Sequence, residues 1–268
     1  MTVLRSTTLR SAAAVFACAL MTAASALAGP PLATDDAGTV DAGKVEIELN
    51  GSYSRDKEHA AGVVTKSATS DAEMKITTGL YRNLGISLAV PYTVSERVRE
   101  NGQLAGKTDG FGDMTVEIKY AFAELGGINF AIKPTAIIPT GTSGLTEERW
   151  QFGTTLIATR EFADGKYALH ANLGYEHHNY DEDAAADRGN LWSGSVAGEM
   201  EVTKGLFAVA DFGLATNPDK GSNEPPVYAL VGARYEINDC LDVNAGIKFA
   251  LTKPEDDICA LYGLVLKF

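Results

Sequence analysis

The stretch Leu241-Asp-Val-Asn-Ala-Gly-Ile-Lys-Phe-Ala-Leu251 alternates without interruption. Leu241, Val243, Ala245, Ile247, Phe249 and Leu251 lie on one face of an extended chain, and Asp242, Asn244, Gly246, Lys248 and Ala250 on the other. A period of two is the mark of a β-strand whose two faces meet different surroundings. Its length narrows the choice. Strands in soluble proteins average about 5–6 residues, whereas ~9–11 tilted residues carry a strand across a bilayer.

The same pattern recurs on both sides of this stretch. Ile258, Ala260, Tyr262, Leu264, Leu266 and Phe268 alternate to the end of the chain. Met114, Val116, Ile118, Tyr120 and Phe122 alternate with Thr115, Glu117, Lys119 and Ala121, and Val45, Ile47, Leu49 and Tyr53 do so with Lys44, Glu46, Glu48, Asn50 and Ser52. Twelve segments follow the rule, near 43–54, 70–81, 85–96, 112–122, 128–138, 150–160, 166–176, 191–202, 206–215, 227–237, 240–251 and 258–268. Their connections alternate in length. Short turns at Arg82–Leu84, Ala123–Gly127, Glu161–Gly165, Thr203–Gly205 and Asn238–Asp239 alternate with longer polar loops at 55–69, 97–111, 139–149, 177–190, 216–226 and 252–257. An all-β, closed, up-and-down antiparallel transmembrane barrel of about twelve strands, with both termini periplasmic, produces this rhythm. Closure is required because every backbone polar group in hydrocarbon must find an internal partner.

Composition agrees. The 268 residues include 27 Gly, 10 Tyr and 10 Phe, and the net charge of −12 speaks against nucleic acid, which needs clustered Lys and Arg. Residues 1–28 read as a signal peptide, with Arg5 and Arg10 before an apolar run and Ala26-Leu27-Ala28 as the cleavage site. The mature chain then starts at Gly29, and no later stretch supplies the ~18 apolar residues of a spanning helix. The expected location is the outer membrane of a Gram-negative cell. Cys240 and Cys259 fall at opposite ends of the last hairpin if Phe268 pairs near Leu241, on the order of 30 Å apart, so no disulfide joins them.

The polar face turns inward. It carries Glu46, Glu48, Lys75, Glu117, Lys119, Lys133, His170, Glu199, Glu201, Asp211, Arg234, Glu236 and Lys248, the lumen-lining candidates. A Lys facing lipid at mid-depth would cost about 2–4 kcal/mol. The excess of carboxylates predicts a mild preference for cations in an open pore. Residues 29–42, with two prolines and the Asp35-Asp36 pair, precede the first strand; they either plug the lumen or fray into the periplasm. Tyr53, Tyr92, Trp150, Phe152, Tyr167, Tyr175, Trp192, Tyr235 and Phe268 sit at strand ends as an aromatic girdle does. Tyr262, Leu264, Leu266 and Phe268 resemble the C-terminal signal by which barrel-assembly machinery recognises its clients.

Pro91 and Pro134 fall inside strands 85–96 and 128–138, which flank strand 112–122. Each removes a ladder hydrogen bond, so they mark bulges or a lateral opening of the wall. Glu176-His-His-Asn-Tyr-Asp-Glu-Asp183 mixes metal-ligating side chains, but a solvated acidic loop is the plainer reading and no metal site is expected. His170 near Ser193 or Ser195 raises the question of a lipid-modifying enzyme. No serine stands in a nucleophile motif, so neither catalytic residues nor a cofactor are expected.

Pro31-Leu-Ala-Thr-Asp-Asp-Ala-Gly-Thr-Val40, Gly43-Lys-Val-Glu-Ile-Glu-Leu49, Asp109-Gly-Phe-Gly-Asp-Met114, Ile138-Pro-Thr-Gly141, Leu156-Ile-Ala-Thr-Arg-Glu-Phe162 and Lys248-Phe-Ala-Leu-Thr-Lys-Pro254 together resemble a family of outer-membrane transporters named after the meta-pathway of phenol degradation. The resemblance implies a barrel that passes small aromatic or other hydrophobic compounds, and it brings no assigned binding residues. The expected function is a channel or facilitator for passive passage of small molecules. The alternative is a non-conducting structural or adhesive barrel. The expected partners are outer-membrane lipids and lipopolysaccharide, the assembly machinery and a small-molecule solute.

Overall fold

In the computed structural model the described residues are 30–60, 62–180 and 187–268; the signal-peptide reading of 1–28 lies outside them. The chain forms thirteen strands: β1 Val45–Ala60, β2 Val63–Tyr81, β3 Leu84–Glu100, β4 Gln103–Phe111, β5 Met114–Leu125, β6 Ile128–Ile138, β7 Gln151–Phe162, β8 Tyr167–His177, β9 Asn190–Thr203, β10 Leu206–Ala215, β11 Val227–Asn238, β12 Leu241–Ala250 and β13 Ile258–Lys267. Apart from β4 and β5, each strand pairs antiparallel with its chain neighbour, and β1 closes the ring on β13 from Glu46↔Lys267 to Arg55↔Ile258.

The ring has twelve staves, because β4 and β5 share one. β3 pairs with β5 from Leu84↔Tyr120 to Ala89↔Thr115 and with β4 from Tyr92↔Phe111 to Glu100↔Gln103. The break between them falls at Gly112–Asp113, opposite Val90–Pro91. Pro91 has no N–H to offer there, and its carbonyl accepts from Gly112 N at 3.0 Å instead.

Two expected loops are strands. Residues 55–69 and 97–111 continue as hairpins, with β1 paired to β2 as far as Ala60↔Val63 and β3 to β4 as far as Glu100↔Gln103. Asn101 (φ 49°) and Gly102 (φ 86°) make the turn, an Asn-Gly pair suited to a two-residue hairpin loop. Val63, Val64, Thr65, Val98 and Thr108 supply the β-favouring side chains. The last hairpin is also displaced from expectation by two residues, with Leu241↔Leu266 and Lys248↔Cys259. The shift is even, so every side chain keeps its face. Cys240 and Cys259 are both free.

The molecule is apolar outside and charged inside. Leu169, Leu173, Val196, Val231 and Tyr262 are each more than half exposed on the outer face, while Lys75, Glu117, Lys133, His170, Asp211 and Lys248 are buried on the inner one. A soluble domain buries the opposite set. Aromatic pairs stand at the long-hairpin rim, with Tyr92 against Phe111 at 4.9 Å, Tyr175 against Trp192 at 4.9 Å and Trp150 stacked on Phe152 at 6.1 Å between ring centres. Tyr167, Tyr235 and Phe268 lie exposed at the short-turn rim.

Candidate functional site

Residues 30–42 run through the lumen. They leave the short-turn rim beside β2, where Ala42 bridges Gly79 and Gly43 N donates to Gly79 O at 2.9 Å. A Cβ on Gly79 would lie 2.2 Å from Asp41 O, so only glycine lets the chain pass so close to the wall. From there the segment climbs to Pro30 and Pro31 at mid-barrel. Leu32 and Thr34 are fully buried, and Asp35 and Ala37 are 1% exposed.

Five contacts fix it. Pro31 rests on Gly232 of β11 and Gly246 of β12, a cross-strand pair facing the lumen, where a Cβ would come within 2.7 and 3.0 Å of its ring. Leu32 packs into an apolar patch of Ala197, Val209 and Leu230. Asp211 of β10 accepts from Ala33 N at 2.8 Å, Thr34 N at 2.7 Å and the Thr34 hydroxyl at 2.8 Å, with the Tyr228 hydroxyl at 3.2 Å. On the opposite wall Asp35 meets two lysines, its Oδ1 2.7 Å from Lys119 Nζ and its Oδ2 3.1 Å from Lys133 Nζ. Lys133 also meets Glu117 at 3.3 Å, and Glu117 meets Lys75 at 2.9 Å. Below this, Ala37 N donates to Thr159 Oγ1 at 2.9 Å.

Burial alone would raise the Asp35 carboxyl, but Lys119, Lys133 and Lys75 outweigh it and hold the group well below the usual carboxylate range. A depressed folded-state value means that its stabilising contribution is complete above the ordinary carboxylate range and is lost only as pH falls through the lowered value. The Asp35 latch is therefore expected to survive acidification from pH 7 to pH 4. Recordings of the native protein should show no opening transition in that window.

The plug divides the lumen. On the long-hairpin side lies a cavity of about 280 Å³ touched by Pro31, Leu32, Pro91, Lys133, Tyr228 and Lys248. On the short-turn side a cavity of about 1080 Å³ is touched by Asp36–Ala42, Thr159, His170, Glu199 and Arg234. No residue lines both, and Thr34 and Asp35 stand between them. Replacing Gly246 by leucine is expected to lift Pro31 from its seat, since overpacking costs about 1–3 kcal/mol. That should raise protease cleavage within residues 30–42 about 5–150-fold, with the barrel itself still resisting heat and detergent.

The thirteen charged and His positions of the polar face all carry their side chains inward, but they do not act alike. Lys75, Glu117, Lys119, Lys133 and Asp211 form the plug seats. Arg234 meets Glu199 at 3.3 Å, Glu236 at 2.7 Å and Asp242 at 3.4 Å. Lys248 pairs with Glu255 at 2.5 Å. Glu48 lies across the β1–β2 ladder from Lys75 with one oxygen unpartnered, Glu46 is half-buried near the rim, and Glu201 accepts from Gly205 N at 3.2 Å.

His170 and Ser195 have separate partners. The His170 Nδ1 bonds Thr159 Oγ1 at 2.9 Å and its Nε2 lies 3.6 Å from Glu199, while Ser195 Oγ lies 2.8 Å from the Thr34 hydroxyl. His178 meets Glu176 at 2.9 Å, and His177 bonds Asn190. No metal-binding group of His, Cys, Asp and Glu occurs among the described residues, and residues 181–183 of that loop lie outside them. Pro91 points into the lumen. Pro134 points outward, in the stretch of the β5–β6 ladder between Glu117↔Thr135 and Tyr120↔Ile132, which keep one register. Each proline keeps one neighbouring strand paired, Pro91 with Glu73 and Pro134 with Thr154.

Sequence reasoning missed Gly232, Gly246, Asp242 and Thr159. The period-two rule already puts all four on the polar face; what it does not show is that two inward glycines leave room for a proline.

Residues 33–268 match the family described as "Putative MetA-pathway of phenol degradation", from within the plug to the last residue. The chain belongs to this family. No curated protein matches it. This member of the phenol-degradation family is similar in structure to an outer membrane channel from Pseudomonas putida F1, with a TM-score of 0.72 at 14% identity over 87% of this chain and 98% of that one. It is also similar to the NanC porin, with a TM-score of 0.57 at 11% identity over 83% of this chain and 100% of that one. The KdgM porin follows, with a TM-score of 0.51 at 12% identity over 83% and 99%. At these identities the likeness establishes a shared barrel fold.

Proposed function

We propose that the protein is an outer-membrane channel for passive passage of small molecules, delivered by a cleaved signal peptide and gated by its own N-terminal segment. The observation that carries this reading is the plug. Residues 30–42 lie between two cavities that open toward opposite rims, and they are held by a small number of discrete seats, polar and apolar, instead of a continuous apolar core. A barrel serving only as structure has no use for a lumen divided into two cavities by a segment held at a few discrete seats.

Family membership supports a transport role for small aromatic or other hydrophobic compounds, and the barrels it resembles include a channel and porins. The polar inner wall supports solutes that keep a hydrogen-bonding group. Swelling of liposomes tests the reading. Native protein is expected to admit small neutral solutes slowly, and Asp35→Ala protein to admit them faster, with the rate falling as solute size rises. Equal rates with protein-free liposomes for both forms would contradict the channel.

A further inference from the structure

We infer that Lys119 and Lys133 form a carboxylate-binding subsite in the permeation path, and that Asp35 occupies it in cis as a tethered stand-in for the solute; this deepens the channel reading and names anionic carboxylates as the class that passes or opens the gate. One carboxylate spans two ammonium groups, each oxygen on a different lysine, at 2.7 and 3.1 Å. The lysine side chains are 19% and 3% exposed and the Asp35 side chain 1%, so the pairing is made away from bulk water, where charge-assisted bonds are strong. Lys119 and Lys133 lie opposite one another in the single register that joins Glu117↔Thr135 to Tyr120↔Ile132, both on the lumen face, and so reach the same point.

Charge around the seat points the same way. Glu117 is shared between Lys75 and Lys133, and the ion pair of Lys119 is with Asp35. When the plug leaves, Lys119 is left facing the lumen without its counter-ion and Lys133 retains half of one carboxylate. An anion of carboxylate shape restores the balance. Lys133 also borders the 280 Å³ cavity, so a solute arriving from the long-hairpin side meets it before the plug moves. The count of inward carboxylates predicts cation preference for the lumen as a whole; the Lys119–Lys133 pair is a local departure from it.

The test uses the full-length barrel in detergent, native and Asp35→Asn, titrated calorimetrically with sodium acetate against sodium chloride at matched ionic strength. The native protein is expected to bind no acetate, Asp35→Asn to bind it over chloride, and Asp35→Asn with Lys119→Met and Lys133→Met to bind it at least about tenfold more weakly. Acetate binding to Asp35→Asn no better than chloride, or undiminished in the triple variant, overturns the proposal. Should Asp35→Asn fail to fold, Asp35→Ala takes its place in the same titration. Conductance of the same variants in a planar bilayer separates the two readings: silence with acetate binding intact removes the channel and leaves the subsite, and current without acetate binding does the reverse.

Discussion

Asp35→Ala is expected to raise the open population of the channel about a hundredfold or more, read as open probability in single-channel recordings. Removing one partner of a buried ion pair costs about 3–5 kcal/mol because the other charge is left uncompensated. Here two lysines lose their shared partner at once, and the strain falls on the docked plug, the part of the molecule free to leave. Asp36→Ala is the built-in comparison. Among the described residues the Asp36 carboxylate accepts from the local Gly38 N, on the side of the plug facing the short-turn cavity, so its removal should change open probability little. Two adjacent aspartates thus carry opposite predictions, which a general effect of net charge cannot reproduce.

Asp211→Ala is expected to release the same segment from the other wall. Ala33 N, Thr34 N and the Thr34 hydroxyl all donate to this carboxylate, and a buried donor left without an acceptor costs about 1–3 kcal/mol. With the two backbone donors orphaned, while the Thr34 hydroxyl turns to Ser195 Oγ, the plug's tip should undock, and protease cleavage within residues 30–42 should rise by at least about tenfold. Asp211→Asn keeps one carbonyl oxygen and should fall between the alanine variant and the native protein. Because Asp211 is held by neutral donors and Asp35 by lysines, salt should distinguish them. High ionic strength is expected to loosen the Asp35 seat more than the Asp211 seat as the plug begins to hydrate.

The barrel was legible because it rests on one local rule repeated. Alternation fixed which face of each strand meets lipid, and an even displacement in the last hairpin left Asp242, Asn244, Gly246 and Lys248 inward. The hairpin extensions at 55–69 and 97–111 were not legible as strands, since their polar residues outweighed the Asn101-Gly102 turn signal. Most of the site was half-legible. Lys119, Lys133 and Asp211 stood out as inward charges, and Asp35 as part of an acidic pair, but nothing local links positions 35, 119, 133 and 211. Their meeting depends on barrel diameter and on a non-repetitive segment that no period describes. The glycine seat of Pro31 is of the same kind, because a glycine opposite a glycine reads as a weak strand until something is found lying on it.

The proposed gating by residues 30–42 has a direct test. Thr34 and Ser195, whose side-chain oxygens are 2.8 Å apart, offer a place to lock the segment with Thr34→Cys and Ser195→Cys after Cys240→Ser and Cys259→Ala remove the free thiols. Single-channel recording of this protein, oxidised and then reduced in the same bilayer, is predicted to show silence while the disulfide holds and discrete openings once it is cut. Identical current steps in both states, with the cross-link verified by mass, would contradict the claim.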